Sequence, residues 1–146
     1  MSNKSCFFIG NKHTPNTIKE QLVNIVKKHI VEYGTNSFYV GHRGNFDRMC
    51  TGVLRELKEK YPSINLYVVE PYAFTKSKIE APQGFALFYP EIEHVPLPLA
   101  IVHANRYMVK NVDYLIACPS AVGNSRKIVE YAQRREKRGL IKITLL

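Results

Sequence analysis

The chain has no tryptophan, only three cysteines (Cys6, Cys50 and Cys118) and 12 acidic residues against 21 lysines and arginines. An odd number of cysteines without C-x-x-C spacing argues against a disulfide framework or a zinc site, and for reduced, mostly buried thiols. Long apolar runs are missing too. The longest, Val95–Val102, contains Pro96 and Pro98, and none approaches the roughly 20 residues that span a bilayer. The stretch Cys6–Gly10 is too short for the core of a secretion signal and no small-residue cleavage site follows it. The expectation is a cytoplasmic protein without membrane association. Neither a Walker loop, G-x-x-x-x-G-K-[S/T], nor a G-x-G-x-x-G dinucleotide fingerprint is present. Internal repeats, heptads, low-complexity segments and linkers are absent.

What is present fits one globular domain. A chain of 146 residues that is 45% hydrophobic buries about 68–70% of its unfolded surface, so it needs neither disulfides nor a structural metal. A net charge of +9 favours anionic partners: phosphate ligands, nucleic acid or an anionic surface. Basic residues are densest in the last helix, at Arg126, Lys127, Arg134, Arg135, Lys137 and Arg138. The plainest reading of that helix is a solvated face whose cations complement the helix dipole.

Apolar runs and helical stripes alternate along the chain. Ser5–Ile9 reads as a buried strand ended by Gly10. Thr14 and Pro15 look like the N-cap and first position of a helix carrying Ile18, Leu22, Ile25, Val26 and Ile30 on one face, ended by Gly34. Ser37–Val40 is a second strand. A helix with Met49, Cys50, Val53, Leu54 and Leu57 inward follows, then a third strand at Ile64–Val69. Residues 70–101 are irregular and hold five prolines, Pro71, Pro82, Pro90, Pro96 and Pro98. They read as a functional loop or as a surface insertion. Order returns with a helix at His103–Val112, a strand at Tyr114–Cys118, a helix at Arg126–Arg138 and a last strand at Leu140–Leu145. The pattern predicts an α/β fold: a Rossmann-like, open, doubly wound parallel sheet of about five strands in the order 3-2-1-4-5, with helices on both faces.

In such sheets ligands bind beyond the carboxyl ends of the strands, where the strand order reverses. Three strand-to-helix loops converge there: Gly10–Thr14, Gly41–Asp47 and Pro119–Ser125. Glycines let backbone amides approach a ligand closely, and helix N-termini suit a phosphate. The candidate ligand-binding residues are therefore Gly10, Asn11, Lys12, Gly41, His42, Arg43, Gly44, Asp47, Asn105, Arg106, Ser120, Gly123, Asn124 and Ser125. Lys12, Arg43 and Arg106 are the expected charge neutralisers. Asp47 can cap its helix or accept hydrogen bonds from sugar hydroxyls. Ser120 and Ser125 can donate to an anion or cap the last helix.

Four segments, Ser5–Lys12, Phe38–Asp47, Asn105–Val109 and Gly123–Ala132, together resemble the SLOG superfamily, which includes the LOG proteins and the DprA proteins, and most of all its small YpsA-like members. Ser5–Lys12 (SCFFIGNK) is similar to a first strand ending in G-H-R. Phe38–Asp47 (FYVGHRGNFD) is similar to F-Y-x-G-G-A-x-G-F-D, Asn105–Val109 (NRYMV) to part of R-N-R-x-M-V, and Gly123–Ala132 (GNSRKIVEYA) to G-G-T-x-x-T-V-x-Y-A. The resemblance implies a Rossmann-like fold and a pocket for a nucleotide or an ADP-ribose-like derivative. Departures matter equally. Asn11 and Lys12 replace histidine and arginine, and His42 replaces a glycine. Ala104 and Ile128 stand where LOG hydrolases carry arginine and glutamate. The expectation is a non-catalytic sensory or regulatory domain. Two alternatives stay open: a nucleoside-phosphate glycosidic hydrolase with rearranged catalytic groups, and a DprA-like nucleic-acid-binding protein. A second copy of the chain is a further candidate partner.

Other constellations carry less. His13, His42, His94 and His103 lack metal-ligand spacing. Cys118 with His13 or His42 is a conceivable nucleophile–base pair that nothing in the sequence brings together. Glu70 is a lone carboxylate, which does not define acid–base chemistry. Tyr39, Tyr72, Phe74, Phe85, Phe88 and Tyr89 make an aromatic middle, with Tyr39 assigned to the core and the others to base stacking or to pinning the long loop.

Overall fold

Short apolar runs without strict alternation suit strands covered by helices on both faces, and the computed structural model, which describes residues 3–71, 80–90, 96–120 and 123–146, contains such a sheet. The elements are β1 (Ser5–Gly10), α1 (Lys19–Val31), β2 (Ser37–Val40), α2 (Gly44–Lys60), β3 (Asn65–Val69), β4 (Phe85–Phe88), α3 (Leu97–Asn111), β5 (Tyr114–Cys118), α4 (Asn124–Lys137) and β6 (Lys142–Leu145). All neighbouring strands pair in parallel, in the order β4-β3-β2-β1-β5-β6. The fold is α/β with a six-stranded parallel sheet flanked by four helices, consistent with a doubly wound Rossmann-like architecture.

Because strand side chains alternate between faces, β1 feeds two cores. Cys6 and Phe8 join Phe38, Val40, Leu66 and Val68 beneath α1 and α2, where Leu22, Val26, Phe46, Val53 and Leu54 close the layer. Phe7 and Ile9 join Leu115 and Ala117 beneath α3 and α4, against Met108, Val109, Val129 and Ala132. Among the described residues no helix is long and apolar enough to cross a membrane.

The predicted strand order 3-2-1-4-5 is retained, with β4 added as an edge strand beside β3. Three local expectations change. The aromatic middle contributes β4: Phe85 packs on one core, and Phe88 on the other with Tyr39, whose ring stacks on Tyr67. Helix α3 begins at Leu97 rather than His103, with Pro98 in its first turn, where a missing N–H costs nothing. Thr14 does not cap α1. It is 2% exposed and its hydroxyl donates to the Asn11 carbonyl at 2.6 Å, while the helix is entered through a 3₁₀ turn at Asn16–Ile18. Tyr72, Phe74 and His94 lie outside the described residues.

At the N-terminal edge of the sheet, His29 is 1% exposed and packs edge-on, at 4.9 Å, against each of the rings of Tyr33 and Tyr114, which stack on one another at 5.5 Å. Its Nδ1 lies 3.4 Å from the Thr35 hydroxyl and its Nε2 has no partner. Burial, and then the charges of Lys142 and Lys28, push this imidazole down to about 4.

Candidate functional site

The strand order reverses at β1, which pairs with β2 on one side and β5 on the other. Beyond its carboxyl end lies a cavity of about 160 Å³. Its floor is the end of β1 from Phe7 to Gly10, together with Val69 at the end of β3 and Pro71 just beyond it. Its rim is Gly41, His42, Arg43 and Asp47 on one side, Ile101, Ala104 and Asn105 of α3 on another, and Asn124 and Ser125 at the start of α4 on the third. The mixture of an apolar floor and a polar rim suits a small ligand with one charged end.

Backbone bonds lock the loops to each other. The Asn11 N–H donates to the Cys118 carbonyl at 3.0 Å, extending the β1–β5 pairing by a residue. The Asn11 carboxamide oxygen accepts the His13 N–H at 3.1 Å. The Lys12 carbonyl accepts the Asn45 N–H at 2.9 Å, and the Asn45 amide nitrogen donates to the Thr14 carbonyl and to the Asn16 side chain. Gly44 has φ +89°, and a Cβ there would stand 2.5 Å from the Lys12 Cα. Only glycine lets α2 start against the first loop.

Asp47 is the central titratable group. Its Oδ2 accepts the N–H of Arg43, the residue that caps α2, at 3.0 Å. A Cβ on Gly41 would stand 2.5 Å from that oxygen, so Gly41 makes room for the carboxyl. Burial pushes the Asp47 carboxyl up to about 7, against the opposing pull of the Arg43 N–H and guanidinium. Near neutrality the group is divided between a protonated donor and a charged acceptor.

Glu70 is not the lone carboxylate that the sequence suggests. At the end of β3, 6% exposed, its Oε2 lies 3.1 Å from Nε2 of His42. The pair ties the second loop to the third strand and holds His42 at the cavity. Sequence spacing could not show this, because the partners come from different strands.

Of the fourteen sequence-derived candidates, the cavity gathers Gly10, Gly41, His42, Arg43, Asp47, Asn105, Asn124 and Ser125. Asn11, Lys12, Gly44, Ser120 and Gly123 belong to the supporting loops and do not line it. Gly123 caps α4 with φ +102° and, being glycine, supplies no capping side chain, so that helix starts beside the cavity at Asn124 and Ser125. Of the three cations expected to neutralise charge, Arg43 alone lines the wall. Lys12 is exposed, and Arg106 lies over the Tyr131 ring, 5.6 Å from its centroid. Apart from Gly10, the floor was not among the candidates, nor were Ile101 and Ala104, the latter 2% exposed. Their only sequence signal was their place at a strand end or on a helix stripe. Ile128 is buried in the core under α4. Among the described residues neither His13 nor His42 is hydrogen-bonded to Cys118, and no three His, Cys, Asp or Glu side chains are placed to hold a metal.

The chain matches no model of a known protein family, and no curated protein sequence matches it either.

Proposed function

We propose that this protein is a binding domain of the SLOG type that holds a nucleotide or nucleotide derivative, such as an ADP-ribose-like molecule, and acts as a sensor or regulator. The observation that carries the reading is the convergence of two helix starts, the glycine loop and Arg43 on one cavity at the reversal of the strand order. Backbone N–H groups at helix starts attract phosphate, and Arg43 adds a fork of donors. A cavity of about 160 Å³ is smaller than the roughly 300–1,000 Å³ of pockets that enclose a whole drug-sized molecule. It therefore takes the phosphate and sugar end of the ligand. Protonated Asp47 donates to a phosphate or sugar oxygen, where an ionised carboxylate would repel the anion. The test is a thermal-shift screen of adenosine, adenosine phosphates, ADP-ribose and NAD. A phosphate-bearing ligand at 100 times its Kd stabilises by about 2.7 kcal/mol. Adenosine without phosphate is expected to give little shift, and an equal shift with adenosine counts against the phosphate site.

A second reading, hydrolysis of the glycosidic bond of a nucleoside phosphate, is favoured by one observation. The same rim holds a carboxyl that titrates at about 7 and an imidazole paired to a buried carboxylate. These are group types used for acid–base catalysis. Release of free base from a nucleoside 5′-phosphate, abolished in Asp47→Asn, decides for this reading. The absence of base release decides for the binding domain.

A further inference from the structure

The basic residues of the last helix do not simply fan into solvent. Three guanidinium groups, from Arg106 on α3 and from Arg134 and Arg135 on α4, surround the ring of Tyr131 at 5.6, 5.8 and 6.0 Å from its centroid. Among the described residues none of the three forms an ion pair with a carboxylate, and the Nε of Arg135 is buried without a hydrogen-bond partner. Neighbouring carboxylates are few and make no contact with these three groups among the described residues. Helix α3 contains none. The two on α4 are engaged elsewhere: Glu130 pairs with Arg126 at 3.3 Å, and Glu136 accepts the backbone N–H of Ile143 at 2.8 Å. Cation–ring attraction, about 0.5–1 kcal/mol at exposed sites, holds the arginines in place but does not neutralise them. Three like charges gathered on one ring are a surface built for an anion.

The surface is extended. Lys127, Arg134 and Arg138 are exposed and fall on one stripe of α4, at spacings of seven and four residues. At 1.5 Å rise per residue that stripe is about 16 Å long, which favours a linear polyanion over a compact one. We propose that the α3–α4 face binds the phosphodiester backbone of a nucleic acid, as a second site separate from the strand-end cavity. Arginine suits this ligand, since its planar fork pairs with phosphate oxygens. Contact is with the backbone rather than the bases, because the Tyr131 ring is already occupied by guanidinium groups. A membrane surface fits less well. Interfacial binding needs a continuous apolar stripe beside the cations, whereas the exposed hydrophobics here are scattered, Leu99 and Ile101 in the first turns of α3 and Leu140 just past α4, and among the described residues α4 itself exposes none.

The experiment is fluorescence anisotropy with labelled oligonucleotides of about 12 nucleotides, single-stranded and duplex, DNA and RNA, titrated with the full chain. With about three phosphates neutralised, affinity falls about 40-fold for duplexes and about 20-fold for single strands between 50 and 200 mM salt, with no dependence on base sequence. The double variant Arg106→Gln/Arg134→Gln lowers the salt slope by about two. Arg106→Lys/Arg134→Lys, which keeps the charge, retains most of it, and Arg55→Gln on α2 across the sheet leaves it unchanged. Melting curves of each variant show whether it is folded, and if the glutamine pair is not, the single variants Arg134→Gln and Lys127→Gln, both at exposed positions, carry the comparison, each lowering the salt slope by about one. Four results overturn the proposal: no oligonucleotide binding at low salt, binding that survives folded Arg106→Gln/Arg134→Gln, equal loss in Arg55→Gln, or binding to polyglutamate or phosphatidylserine vesicles as tight as to DNA. None depends on the strand-end cavity, so a cavity that proves empty of nucleotides leaves this proposal standing.

Discussion

At the N-terminal edge of the sheet His29 is buried edge-on against two stacked tyrosine rings. At the C-terminal edge Asp47 faces a cavity. Burial moves both groups away from their ordinary ranges, His29 from 6.5 down to about 4 and Asp47 from 3.8 up to about 7. The shifts alone do not separate a structural group from a functional one. What separates them is the surroundings. His29 has rings, a threonine and nearby lysines, with no cavity beside it. Asp47 has one backbone donor and an open wall that a ligand can reach. The two groups also load stability in opposite directions. A histidine with lowered affinity for protons gives stability that is complete above about pH 6.5 and is lost as pH falls through about 4. A carboxyl with raised affinity gives stability that is complete below about pH 3.8 and is lost as pH rises through about 7. Between about pH 4 and 6.5 the two slopes offset each other.

The largest expected effect comes from the backbone of the C-terminal edge. Gly44→Ala places a Cβ against the Lys12 backbone in a left-handed conformation, and is expected to cost about 3 kcal/mol or more. Gly34→Ala, at the other edge with φ +68° and open space around the new methyl, is expected to cost only about 1 kcal/mol. Urea denaturation of the two variants checks the contrast, and equal losses would break it. Next in size is His29→Phe, which removes the imidazole that must charge in acid. The about 3 kcal/mol that His29 withdraws between pH 6.5 and 4 disappears, so stability of the variant falls as pH rises across that window. Asp47→Asn tilts the curve the other way. It keeps an acceptor for the Arg43 N–H and removes the cost of ionisation, up to about 4 kcal/mol and nearer 2 after screening through the cavity mouth. The variant therefore gains on the parent protein from pH 4 to 8. Stability measured at a series of pH values tests both, and parallel curves for all three proteins would contradict the assignment. The smallest effect is expected from Glu70→Gln, about 1 kcal/mol or less, because His42 is partly exposed to solvent.

Much of the sheet was legible in the sequence because its central strands announce themselves. Ser37–Val40 and Tyr114–Cys118 are dense apolar runs bounded by turns, and the structure begins and ends them at those residues. The edge strand Phe85–Phe88 escaped notice for a physical reason. It is four residues long, lies among prolines and is only half buried, so neither length nor periodicity marks it. The start of α3 was hidden by Pro96 and Pro98, which break a helix interior but are harmless before and within its first turn. At the site, the glycine loop and Asp47 could be read from spacing, since both sit on one strand–helix joint. The His42–Glu70 pair could not, because it joins two strands. Nor could the position of Arg106, which faces α4 and Tyr131 rather than the cavity beside its neighbour Asn105. One helical step separates the two roles.

The most direct measurement compares the parent protein with Arg43→Ala in thermal shift against ADP-ribose and adenosine phosphates at pH 6 and pH 8. Arg43 is exposed and bonds Asp47 through its backbone N–H, so its side chain can be removed without breaking the helix cap, although losing the guanidinium also removes one pull that lowers the Asp47 carboxyl. The expected result is a ligand-dependent stabilisation of the parent protein that is larger at pH 6, where Asp47 is protonated, and that shrinks in Arg43→Ala at both pH values. A shift that is unchanged in Arg43→Ala, or no shift with any phosphate-bearing nucleotide, would contradict a phosphate-binding site at the end of β1.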